Sequence, residues 1–226
     1  MAVTRTALVA GASGLVGGHL LDLLLEDAGY AAVTALVRHE LPRAHRKLGQ
    51  RLVDFDRLAD GGDLPRADDV FCCLGTTMKR AGSADAFRKV DFTYVERLAR
   101  LAWQHRARQF LLVSSLGADP RSRVFYNRVK GEVEEAVRKL PFDAVHIFRP
   151  SLLLGHRRES RPAERLAMLA GGALGFLLVG PLARYRPIPA RTVAAAMLRV
   201  AKEAARGVHV YESDRIRALA RMTASQ

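Results

Sequence analysis

Tyr126 and Lys130 stand four residues apart in FYNRVKGEVE, so on a helix both side chains leave the same face. A free tyrosine titrates near about 10, too high for acid-base work at neutral pH, and an ammonium beside it favours the phenolate. Upstream, an apolar run ends in Ser114 and Ser115, and a hydroxyl there would orient a carbonyl. Together these groups suit hydride exchange, in which hydride reaches a carbonyl carbon while Tyr126 protonates the oxygen. A tyrosine four residues before a lysine is by itself a common surface pair. Its weight comes from the Ser-Ser strand end and from a glycine turn at the start of the chain.

There the apolar run Ala7 to Ala10 breaks into GASGLVGG. Gly11 suits the positive φ of a tight turn, Gly14 lets the backbone approach a pyrophosphate, and Gly17 lets the following helix pack closely on the strand. The N-terminus of that helix offers free N–H groups and the positive end of its dipole to an anion. Ser13, Leu15 and Val16 complete the turn as candidate cofactor contacts. At the end of the second strand Arg38 occupies the place where a dinucleotide site usually carries an acid for the ribose hydroxyls. A guanidinium prefers a 2'-phosphate, so NADP is favoured over NAD. After the third strand Asp54 and Phe55 are candidates for adenine, and after the fourth Leu74, Gly75 and Thr76 are placed along the cofactor.

Alternating elements must position these residues. Apolar runs at 6–10, 33–37, 51–55, 70–74, 109–114, 144–148 and 207–211 read as strands, and helical patterns occupy 16–28, 91–106 and 126–139. The expected fold is a doubly wound α/β domain with a parallel sheet, a Rossmann fold, whose ligands bind at the carboxyl ends of the strands. With 226 residues, 49% hydrophobic, one domain is expected, with 151–190 as a substrate-side segment and 218–226 as a flexible tail.

The net charge of +13 admits a nucleic acid or an anionic membrane as partner. The basic residues are nevertheless dispersed, without interleaved aromatics or a zinc-finger spacing, and read as a solvated arginine-rich surface. The apolar stretch 166–183 is diluted by glycines and Pro181, and reads as a helix and loop lining an apolar pocket, with membrane contact as the lesser reading. Cys72 and Cys73, the only cysteines, read as buried small hydrophobes, and no metal site is expected. No signal peptide is recognised, and a reducing cytoplasm is expected. The arginine-rich helices argue for a monomer.

The chain resembles the short-chain dehydrogenase/reductase superfamily, and within it the atypical branch related to the Tat-interacting protein. FCCLGTTMKRAGSADAFRKVDF at 71–92, SSLGAD at 114–119, FYNRVKGEVE at 125–134 and FRPSLLLGHRRESRP at 148–162 carry the resemblance. It implies NADPH held through the Gly11–Gly17 turn, Arg38, Leu74 and Gly75, with Tyr126 as proton donor or acceptor and Lys130 on the nicotinamide ribose. Leu153 and Arg161 match positions that approach the cofactor, whereas His39 replaces a second basic residue expected beside Arg38. Counting back from Tyr126 favours Ser114 as the acting serine, while strand alternation in better-known members favours Ser115. Two functions follow as expectations. One is an NADPH-dependent oxidoreductase acting on a carbonyl or hydroxyl of a small apolar substrate. The other is a regulatory protein whose NADPH occupancy alters a protein partner.

Overall fold

The central strands of this chain are almost uninterrupted apolar runs because the sheet is covered on both sides. In the computed structural model, which describes residues 4–58, 64–155, 180–203 and 205–222, β1 (Arg5–Ala10) sends Ala7 and Val9 to one core and Leu8 and Ala10 to the other. The chain continues through α1 (Leu15–Glu26), β2 (Tyr30–Val37), β3 (Leu48–Leu52), β4 (Asp69–Cys72), α2 (Met78–Ala81) and α3 (Ala84–Arg88). A π-helical turn, Lys89–Thr93, leads into α4 (Tyr94–Gln104). Then follow β5 (Gln109–Val113), α5 (Phe125–Arg138), β6 (Ala144–Arg149), β7 (Leu153–Leu154), β8 (Ile188–Pro189), α6 (Ala190–Glu203), β9 (Gly207–Glu212) and α7 (Ser213–Arg221).

Seven strands form one parallel sheet in the order β3-β2-β1-β4-β5-β6-β9, and β7 pairs with β8 in a separate two-stranded ribbon. Strand order reverses between β1 and β4, and the crevice at the carboxyl ends of these two strands is the place where such sheets bind ligands. One core packs Leu20 and Leu24 of α1 against Val193 and Met197 of α6, Ile216 of α7, and Val9, Phe71, Leu111 and Phe148 of the sheet. The other packs Leu98 and Ala102 of α4 and Val133 and Val137 of α5 against Leu8, Val70, Phe110, Leu112 and Ile147. Truncating a buried leucine such as Leu24 to alanine would cost about 2–5 kcal/mol.

Several expectations shift. β3 runs over 48–52 instead of 51–55, and Phe55 is buried in the core with its ring 5.6 Å from that of Tyr94. The helices α6 and α7 were not foreseen. Part of the tail expected over 218–226 is helical, because α7 continues to Arg221 and buries Leu219; residues 223–226 lie outside the described residues. Cys72 is buried and its thiol is pushed up to about 12 by burial; Cys73 is raised for the same reason, so neither is poised as a thiolate. Among the described residues no helix is long and apolar enough to cross a membrane, and no cluster of His, Cys, Asp and Glu could hold a metal. Most of the apolar 166–183 stretch, most of 151–190, and Arg161 lie outside the described residues.

Candidate active site

Gly11 adopts φ +82°, and a Cβ there would lie 2.5 Å from the Cys73 carbonyl oxygen. At Gly17 a Cβ would come within 2.1 Å of the Gly11 carbonyl oxygen, so the entry of α1 against β1 requires glycine at both places. Gly14 is the N-cap residue of α1 and supplies no side-chain cap, and no acid occupies the first turn. The first helical hydrogen bond runs from Gly18 N–H to Gly14 O at 2.9 Å, so the N–H groups of Leu15, Val16 and Gly17 precede the ladder. Ser13 is exposed beside them. The cradle fits a diphosphate: it is free of Cβ atoms where the backbone must be approached, and it presents amides with the positive end of the helix dipole.

Arg38 and His39 are both exposed where β2 ends. Asp54 is exposed and accepts the Asp56 N–H, capping a short 3-10 turn at Phe55–Arg57. Beyond β4, Leu74 and Thr76 are half-buried and Gly75 is exposed.

Tyr126 sits in the first turn of α5 with its ring 5.3 Å from that of Phe87. It lines a cleft of about 780 Å³ together with Ser114, Ser115, Asn127, Arg149, Leu153 and Tyr185. Lys130, one turn on, is buried and forms an ion pair with Asp91 at 2.8 Å. Burial alone would lower the Lys130 ammonium, but the Asp91 carboxylate, with a smaller contribution from Tyr126, overrides it and holds Lys130 above the ordinary lysine value. Lys130 Nζ lies beneath Gly75, 3.7 Å from where a Cβ would stand.

The adjacent serines part company. Ser114 Oγ donates to Glu134 Oε1 at 2.6 Å, inside a buried cluster in which Arg149 Nε reaches the same carboxylate oxygen at 2.9 Å. Ser115 Oγ is buried at the cleft and has no hydrogen-bond partner. The cleft wall mixes the apolar Leu116, Leu152 and Leu153 with Asn127, Arg149, Arg184 and Glu212, and is less uniformly apolar than expected.

Asp91, Glu134 and Arg149 escaped the sequence reading. Glu134 had a signal, since Tyr126, Lys130 and Glu134 recur at four-residue spacing on one face of α5. Asp91 had none, because its pairing with Lys130 exists only through space.

A family model described as NAD(P)H-binding matches residues 11–158. The chain therefore belongs to this NAD(P)H-binding family, and its sheet and glycine turn are those of the Rossmann-like short-chain dehydrogenase/reductase fold. It is 40% identical over 198 residues to the protein HTATIP2 of Rattus norvegicus, the match covering 86% of this chain and 80% of that one. It is 35% identical over 173 residues to the protein fmp52, mitochondrial, of Emericella nidulans, with 73% and 74% covered. Among solved structures it resembles the human epimerase family protein SDR39U1 with NADPH, at TM-score 0.63 and 18% identity, covering 92% of this chain and 74% of that one. It also resembles MoeE5 in complex with UDP-glucose and NAD, at TM-score 0.67 and 20% identity, with 97% and 82% covered.

Proposed function

We propose that the protein is an NADPH-dependent oxidoreductase that transfers hydride to or from a carbonyl or hydroxyl group of a small molecule. The observation that carries the proposal is the meeting of Tyr126 with an unpartnered, buried Ser115 hydroxyl in one cleft, one helical turn from the charged Lys130. Bound NADPH would supply the hydride. Gly11, Ser13, Gly14, Leu15, Val16 and Gly17 would cradle its diphosphate, Arg38 its 2'-phosphate, Leu74, Gly75, Thr76 and Leu153 its length, and Lys130 the nicotinamide ribose. The preference for NADP over NAD rests on Arg38, whose fork matches phosphate oxygens and accepts no hydrogen bond from a ribose hydroxyl.

Ser115 would donate to the substrate oxygen and fix its direction, and Tyr126 would deliver the proton to that same oxygen. Ser114 is committed to Glu134, so the catalytic part passes to Ser115. The mixed wall of the cleft favours a substrate with an apolar body and at least one polar end, held against Leu152, Leu153 and Asn127. Cytoplasmic residence belongs to the same proposal and rests on the two free cysteines.

Calorimetric titration with NADPH beside NADH tests the reading directly. Tight NADPH binding is expected, and Arg38→Ala should weaken it about tenfold or more while leaving NADH nearly unchanged. Tyr126→Phe should bind NADPH as the wild type does and lose turnover on a panel of carbonyl compounds; wild-type turnover by this variant would overturn the mechanism.

A further inference from the structure

Lys130 is not held by its own helix. Its ammonium meets a carboxylate from the π-helical turn that opens α4, and Asp91 on that turn is fully buried. The second oxygen of the same carboxylate accepts the Thr76 N–H at 2.8 Å. One side chain thus ties the segment after β4, expected to run along the cofactor, to the lysine of α5. The remaining groups whose charge acts on Lys130 are Tyr126 on its own helix and Cys72 on β4, and burial keeps the Cys72 thiol neutral. Asp91 is therefore the one standing anion against the ammonium among the described residues.

A buried ion pair is a poor device for stability, since an apolar pair of similar volume often serves as well or better. A π-helical turn is rare and is frequently found at functional sites. Both features point to the task of Lys130. We propose that Asp91 is a positioning residue of the cofactor site, whose carboxylate keeps Lys130 charged and fixes both the ammonium and the Thr76 amide where a nicotinamide ribose would meet them. This inference rests on the cofactor reading given above.

Asp91→Asn tests it, because the amide oxygen can still accept the Thr76 N–H while the charge is lost. In the cofactor-free protein, nitrogen NMR of Lys130 Nζ, assigned with Lys130→Met, should show the ammonium giving up its proton at lower pH in Asp91→Asn than in the wild type. NADPH affinity, read by calorimetry, should fall about tenfold. An unchanged Lys130 midpoint, or NADPH affinity within twofold of the wild type, overturns the inference.

If Asp91→Asn does not fold, the change is placed on Lys130→Met, where it removes an orphaned carboxylate. The double variant should bind NADPH as Lys130→Met does, within twofold, because Asp91 acts through Lys130. A further loss in the double variant overturns the inference. Failure of the wild type to bind NADPH would instead overturn the cofactor reading, and the Lys130 titration would still decide whether Asp91 governs that ammonium.

Discussion

Replacing each of the two adjacent serines by alanine should separate stability from catalysis. Ser114 Oγ donates at 2.6 Å to the buried Glu134 carboxylate, so Ser114→Ala deletes a hydrogen bond to a charged acceptor. Such bonds contribute about 1.5–3 kcal/mol. Glu134 keeps its bidentate contact with Arg149, at 2.9 Å from Nε and 2.5 Å from Nη2, so the loss stays within that range and the cluster survives. For a domain of this size, about 2–4 °C of melting temperature accompanies each kcal/mol, and Ser114→Ala should melt roughly 3–12 °C lower. Ser115 Oγ is buried with no partner, and removing it relieves an unsatisfied group, so Ser115→Ala should melt at or slightly above the wild-type temperature. The same substitution should lower turnover by about 10²–10³, the usual effect of losing one donor to the reacting oxygen. Thermal melts of both variants, followed by NADPH consumption on a carbonyl panel, read the two effects separately. The reasoning fails if Ser115→Ala is the less stable variant, or if Ser114→Ala alone abolishes turnover while folding normally.

Two further perturbations probe the frame around the site. Gly17→Ala would drive a Cβ to 2.1 Å from the Gly11 carbonyl oxygen, a backbone atom with little room to retreat, so it should cost at least the about 1–3 kcal/mol of overpacking and abolish NADPH binding in calorimetry. His146 on β6 is fully buried, and burial, with the neighbouring His209, lowers its pKa to about 4. Its neutral form is favoured in the folded state, so its contribution to stability is complete above the unfolded value of about 6.5 and is lost as pH falls through about 4. Between pH 7.5 and pH 5 this amounts to about 2 kcal/mol. Urea unfolding should show that decline in the wild type and a flatter dependence in His146→Phe; equal slopes would exclude His146 as the cause.

The sheet was legible because each central strand is buried on both faces and so reads as a continuous apolar run. The glycine turn was legible because it needs glycine at specific places for steric reasons. Helix α6 was missed although Val193, Met197 and Val200 on its buried face contrast with Arg191, Arg199 and Lys202; the other buried positions are largely alanine, which weakens an apolar pattern. In α7 only Ile216, Leu219 and Ser213 are buried among arginines and alanines, too few to outweigh a charged composition. Within the site, the helical spacing of Tyr126 and Lys130 was visible. The distinction between Ser114 and Ser115 was not, because it depends on which hydroxyl finds Glu134, a partner on another element. Asp91 was hidden more deeply still: an aspartate in KVDF reads as solvated, and only the fold brings it onto Lys130.

Both ends of the sheet bury polar clusters, Ser114 with Glu134 and Arg149 at the carboxyl end and a second one at the amino end. At the amino end, Asp69 takes the Tyr30 hydroxyl at 2.5 Å and the Gln109 amide at 2.7 Å, with the Arg5 guanidinium at 3.5 Å, and Gln109 also donates to the Ala201 carbonyl at 2.8 Å. Burial raises the Asp69 carboxyl, partly offset by these donors, and the cluster joins β1, β2, β4, β5 and α6 from within. At the carboxyl end, Ser115 lacks a partner, α1 begins without a side-chain cap, and Arg38 is exposed. An unsatisfied buried hydroxyl costs about 1–3 kcal/mol, and at the amino end Gln109 Oε1 is likewise buried without a partner. What sets Ser115 apart is its place in the cleft at the carboxyl ends of the strands, where a ligand can complete its hydrogen bond.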